Sequence, residues 1–284
     1  MLGNTLRRTF WVTYDHLGKL ILANLVWALA LIVPGVLGLA ALNSGDRALA
    51  LMAGAPMVLL VLCALLPVMS AGLAHMVKEL IDTRDGSVRD LFVGIRLYWR
   101  RALGVGFSFV LATVTLSVSV WFYATKLGAI APWAGYAISG LALWCLAFVM
   151  LMAVLVLPAL VQKKAALLAT LKLSAVLVLD NPLFCIGLAI QFLALAGLSL
   201  IPPVFFLFSG SLAMVLASSA YEELARKYAR LGATKRGEGA AGAESGLEKP
   251  HLQGPSRRDP LSADEEEDDY LNRGFRDFLF PWKG

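Results

Sequence analysis

Five stretches of this 284-residue chain hold no Asp, Glu, Lys or Arg: 20–45, 48–77, 102–126 (less its terminal lysine), 127–162 and 181–221. No feature constrains the fold more. A helix that crosses a bilayer needs about 20 mostly apolar residues, so each of the first four stretches holds one span. The fifth is 41 residues long. As one helix it would reach roughly 60 Å, about twice the thickness of the hydrocarbon. It must therefore turn back, and Pro202-Pro203 is the place for the turn. The expected fold is an all-α, polytopic membrane bundle of six spans, at about 20–42, 50–76, 102–124, 133–160, 182–201 and 204–222. The last two spans form a tight hairpin. Charged residues are 16% of the chain and hydrophobic ones 58%, against about 25% and roughly 45–50% in soluble domains. A soluble globular enzyme, a disulfide scaffold and a fibrous repeat are all excluded.

The charges that remain orient the bundle. One set of connections carries Arg7, Arg8 and Lys19, then six basic residues from Lys78 to Arg101, then Lys163, Lys164 and Lys172. The opposite set carries only Arg47 and Lys126. Basic loops stay in the cytoplasm, so both termini are expected there, and Arg226, Lys227 and Arg230 after the last span agree. A cleavable signal peptide is not expected, because the first apolar run is too long and follows a polar leader of about 19 residues. The sequence pI of about 9.2 reflects these flanking residues and does not point to nucleic acid. Cys63, Cys145 and Cys185 sit singly inside apolar runs, without the number or spacing of a disulfide set or a metal site. They are expected as small buried hydrophobes.

The basic connections are long and amphipathic. In 87–101, Val88, Leu91, Phe92, Ile95 and Tyr98 recur at helical spacing, with Arg89, Arg96 and Arg100 elsewhere on the helix and Arg101 at its end. Ser87 followed by Asp90 resembles a capping box. This pattern predicts a helix lying in the cytoplasmic interface, its arginines near lipid phosphates. Residues 165–179, with Lys172, hold the same place before the fifth span, and Asn181-Pro182 suits the start of that span. A faint repeat links Leu65-Leu66-Pro67 with Val156-Leu157-Pro158, each followed by an amphipathic helix and two spans. Residues 6–19 before the first span make a third copy of that unit.

The stretch from span two into span three is the most distinctive: Ala71-Gly72-Leu73, Val77-Lys78-Glu79-Leu80, Arg84-Asp85-Gly86, Arg89-Asp90-Leu91-Phe92 and Tyr98-Trp99-Arg100-Arg101. It resembles the YesL-like family of bacterial membrane proteins, a domain family of unknown function in which a similar charged and aromatic loop joins these spans. The resemblance covers about residues 10–230. It implies a bacterial inner-membrane protein, in some relatives associated with carbohydrate uptake. The family has no established activity, so it supplies no catalytic or binding residues. After about Gly232 the chain departs from the family's compact pattern.

Ionisable residues at depth mark functional sites in membranes, and none of Asp, Glu, Lys or Arg falls mid-span here. His75 and Asp180 sit at span ends, and His16 and His251 have no metal-ligand spacing. No nucleophile elbow, P-loop or paired carboxylates occur, so no enzyme, metal or cofactor is expected. Uncharged polar residues do occur: Gly104, Ser108, Ala112, Thr115 and Ser119 form a small, hydroxylated stripe on span three, and Gln191 lies mid-way along span five. Two uses stay open. They serve helix packing, or they line a polar cavity for a neutral or sugar-like solute, opened where Pro34-Gly35, Pro56 and Pro67 bend helices.

Three segments follow from this pattern: a transmembrane domain over 1–231, a disordered acidic linker over 232–269, and an aromatic amphipathic motif over 270–284. The linker cannot bury enough apolar surface to offset its ordering entropy. In the final motif Leu271, Phe275, Phe278 and Trp282 share one helical face, flanked by Arg273, Arg276 and Lys283. Membrane insertion, folding back onto the chain's own helices and docking on a protein partner are three uses for it. The expected function is that of a non-enzymatic scaffold or accessory subunit, with membrane lipids and a cytoplasmic protein as partners. The alternative is a permease-like protein.

Overall fold

The structure is a computed structural model that describes residues 1–83, 85–163 and 166–243. Every element of regular structure among the described residues is helical. An amphipathic helix α1 (Leu2–Asp15) ends at His16, and α2 (Leu17–Leu42) follows. A tight turn with Gly45 at φ 78° leads to Asp46, whose carboxylate accepts the Ala48 N–H at 2.9 Å. There α3 (Arg47–Thr83) begins. It contains two π-helical turns, Ala50–Gly54 and Val61–Leu65, each just ahead of a proline, Pro56 or Pro67. A wider turn makes room for the proline ring against the preceding carbonyl and absorbs the missing N–H.

The chain continues through α4 (Val88–Leu127) and α5 (Pro132–Lys163). Next come α6 (Leu167–Asp180) and α7 (Pro182–Leu198), which meet at 104° across Asn181. Last are α8 (Pro202–Leu207) and α9 (Ser209–Ala243). Among the described residues four helices, α2 to α5, are long and apolar enough to cross a membrane. The segments expected as spans five and six are helical as well, but α7 has only 17 residues and the return path is broken between α8 and α9 at Phe208.

Three expectations are corrected. The 87–101 segment is not a separate helix lying in the interface plane; it is the first part of α4, which runs unbroken from Val88 to Phe122 before its closing π turn. The reason is a packing stripe that ignores the polar-to-apolar boundary. Leu91, Gly94, Tyr98, Ala102 and Val105 are all buried on the α4 face that meets α3. The start of α4 is as expected: the Asp90 carboxylate accepts the Ser87 N–H at 2.7 Å and its hydroxyl at 3.1 Å. The hairpin turn falls just before the prolines, at 199–201, and Pro202 takes the first helical position, where its missing N–H costs nothing. Finally, α9 continues to Ala243, into the segment expected as a linker.

Helix α9 is the hub, packing against α1, α2, α3, α5 and α7. The core lies at the end of the bundle that carries the basic connections. Val12, Leu20, Leu73, Met76, Leu80, Leu91, Tyr98, Leu160 and Val215 are all at most 2% exposed. The other end is open, with Trp133 82% and Trp144 78% exposed. At the packed end α3 and α4 approach closely because both present glycine. A Cβ on Gly94 would sit 2.5 Å from the His75 Cβ, and one on Gly72 2.8 Å from the Leu91 carbonyl.

Candidate functional site

The most concentrated polar chemistry inside the bundle surrounds Asn24, fully buried on α2 about 10 Å from that helix's start. The break at Phe208 leaves carbonyls at the end of α8 and N–H groups at the start of α9 without helical partners. Asn24 supplies them. Its Nδ2 donates to the Phe205 and Phe206 carbonyls at 2.9 and 2.8 Å, and its Oδ1 accepts from the Gly210 and Ser211 N–H groups at 2.7 and 3.0 Å. One side chain thus uses its whole hydrogen-bonding capacity on one break. Beside it the Trp27 Nε1–H donates to the Ser70 Oγ at 3.1 Å, and the Trp27 ring lies 6.0 Å from Phe205. Position 210 must be glycine, since a Cβ there would be 2.7 Å from the Trp27 ring. The sequence reading missed Asn24; an amide isolated in an otherwise apolar helix was the available signal.

Two further polar contacts tie the flanking helices to α9. Arg8 on α1 is 1% exposed and donates to the Glu222 carboxylate at 2.7 Å. With Thr5, Thr9, Trp11 and Val12 also buried, α1 is a packed element and not merely a membrane-surface helix. At the α6–α7 bend, the Asn181 amide donates to the Leu177 carbonyl and to the Tyr228 hydroxyl, at 3.2 and 2.8 Å, and its oxygen accepts from the Lys227 ammonium. Tyr228 in turn donates to Asp180 at 3.0 Å. Burial, with Asp180 accepting its proton, holds the Tyr228 phenol above its ordinary value. Asn181 precedes Pro182 as expected, but its side chain does not cap α7; it points back to lock the bend.

The expected polar-cavity residues do not come together. The Ser108 hydroxyl donates to the Gly104 carbonyl at 2.7 Å and the Ser119 hydroxyl to that of Thr115 at 2.8 Å, each within α4. Gln191 lies on α7, which packs against α5 and α9. Two apolar cavities of the bundle lie elsewhere. One, of about 500 Å³, is bounded by α3, α4 and α5 at Leu62, Leu66, Phe109 and Met150. The other, of about 530 Å³, lies between α3 and α4, at Pro56, Leu60 and Cys63 facing Phe107, Leu111 and Val114. Val110 and Val114 line both, and neither is lined by Ser108, Thr115, Ser119 or Gln191.

Arg89, Arg96, Arg100 and Arg101 are exposed on α4, and the Arg100 guanidinium lies 5.2 Å from the centre of the Trp99 ring. Exposed Phe92, Leu97 and Trp99 are interleaved with them, the mixture that suits a membrane–water boundary. Leu271, Phe275, Phe278 and Trp282 lie outside the described residues. Comparison of the chain with protein-family models, with curated proteins and with solved structures finds no match.

Proposed function

We propose that this chain is a non-enzymatic, multi-pass protein of a bacterial inner membrane, a scaffold or accessory subunit that engages a protein partner on its basic, cytoplasmic side. The observation that carries this is how the interior polar groups are used. Asn24, Trp27, Ser70, Arg8 and Glu222 bond to one another or to broken backbone, and the two cavities described above are apolar. Such an interior holds helices in place. The YesL-like resemblance supports the bacterial membrane. The excess of Lys and Arg on one set of connections supports six crossings with both termini in the cytoplasm, and α7 with α8–α9 would supply the last two. Reporter fusions after Gly45 and after Gly284 should then report opposite compartments; the same compartment for both overturns the topology. Purification of the full chain in mild detergent should retain a stoichiometric protein partner. Replacing Leu271, Phe275, Phe278 and Trp282 with alanine should release it, whereas unchanged retention removes the tail from the proposal.

One observation favours the permease alternative. The α8–α9 path is broken at depth at Phe208, a device by which transporters present backbone groups to a solute, and Asn24 holds those groups here. Gln191, mid-way along α7, is then the polar side chain to test: Gln191→Leu should abolish flux of a neutral, sugar-like solute into reconstituted vesicles while expression is unchanged, and undiminished flux removes Gln191 from the alternative.

A further inference from the structure

Because α4 is continuous, its arginines keep a fixed angular relation to the groove above them. Arg89, Arg96 and Arg100 fall within one narrow face of the helix, and Phe107, Leu111 and Val114 continue that face, since successive residues rotate by about 100°. These last three form one wall of the cavity between α3 and α4, and the π turn Val61–Leu65 contributes Cys63 and Ala64 to the other. The groove opens sideways: Leu59, Leu60, Phe107, Leu111 and Val114 are each at least half exposed. Measured along the helix, it begins about 10 Å beyond Arg100 and extends to about 21 Å. That range fits one leaflet of hydrocarbon, roughly 15 Å deep, with Arg96, Arg100 and Trp99 left at headgroup level. The second cavity lies immediately across Val110 and Val114.

We infer that these paired grooves hold one diacyl phospholipid with an anionic headgroup. Each cavity takes one acyl chain, and Arg96 and Arg100 bind the phosphate. Two apolar grooves that share a wall match two chains on one glycerol, and guanidinium groups favour phosphate through paired, charge-assisted hydrogen bonds. Arg89 lies about 16 Å below Arg100 along the helix. That exceeds the screening length of roughly 8 Å at physiological salt, so it takes no part. The inference needs the basic end to sit at a lipid headgroup layer and is independent of the scaffold proposal.

The test is native mass spectrometry of the full chain released from vesicles of equal phosphatidylglycerol and phosphatidylcholine. One phosphatidylglycerol should be retained in preference. Arg96→Gln with Arg100→Gln should lower its retention about tenfold or more, and Arg89→Gln should leave it unchanged. Ala64→Trp, which fills the groove and leaves every arginine in place, should also release the lipid, so the proposal stays testable if the double variant fails to fold. Equal retention of both lipids by the unaltered chain overturns it. So does undiminished phosphatidylglycerol in either the double variant or Ala64→Trp. Displacement by excess inorganic phosphate would mark a site for the free anion and overturn it as well.

Discussion

The two ends of this bundle obey opposite rules. At the basic end, helices approach through Gly72 and Gly94, and polar side chains answer two irregular junctions, Asn24 at Phe208 and Asn181 with Tyr228 at the α6–α7 bend, while Glu222 pairs with buried Arg8. At the other end, the helices present Leu51, Trp121, Trp133 and Trp144 outward with little packed between them. The difference follows from the solvent each end requires. Irregular backbone cannot face hydrocarbon unless protein groups satisfy it, so polar side chains gather where the chain bends. The apolar helices there need no such help, because their backbone bonds close within each helix, π turns included, and lipid tails cover them at no hydrophobic cost.

Substitutions sharpen this contrast, and thermal unfolding in detergent measures them. Asn24→Leu should be the most damaging. It keeps the heavy-atom count and branching of the side chain and removes four hydrogen bonds at once, leaving the Phe206 carbonyl and the Gly210 and Ser211 N–H groups without their Asn24 partner while Phe205 keeps the Ser209 hydroxyl, a loss of about 3 to 4 kcal/mol. An unchanged melting temperature would show that the Phe208 break is satisfied some other way. Gly94→Leu forces α3 and α4 apart and should cost about 3 kcal/mol. Glu222→Gln removes the carboxylate facing a buried guanidinium and should cost about 2 kcal/mol, below the full buried-pair value because Glu222 is 13% exposed.

Tyr228→Phe should cost about 1 kcal/mol. Its phenol is held above the ordinary value in the folded state, so its contribution is intact below about pH 10 and is lost as pH rises and the unfolded phenol ionises first. The phenylalanine variant should lack that share of the alkaline loss. The smallest effect tests the open end. Gly140 has no neighbour within 4 Å of an added Cβ, so Gly140→Ala should gain about 0.5 kcal/mol from helix propensity alone. A loss as large as that at Gly94 would erase the distinction between the two ends.

Some local features were legible because their causes are local. Ser87 and Asp90 lie three residues apart, and the capping contact forms between them. Pro182 and Pro202 each suit a helix N-terminus through a fixed φ and a missing N–H, both local properties of the residue. The α4 boundary misled because composition changes near Ala102 while the buried stripe from Leu91 to Val105 does not. A switch from polar to apolar surroundings changes what a helix touches, not whether it continues. The hydroxyls of Ser108 and Ser119 suggested a cavity, but a serine in a helix readily satisfies itself on the carbonyl one turn back.

The sequence by itself determined that this chain is a set of helices too apolar for water, and which connections are basic. Both are sums over neighbouring residues, and solvent acts on such sums directly. Only the tertiary structure decided that Asn24 answers a break more than 180 residues away, that Arg8 meets Glu222, and that the arginines of α4 line up with a groove built jointly with α3. Those relations depend on which helix lies against which and at what rotation. That choice is made by packing across the whole bundle, so no segment taken alone carries it.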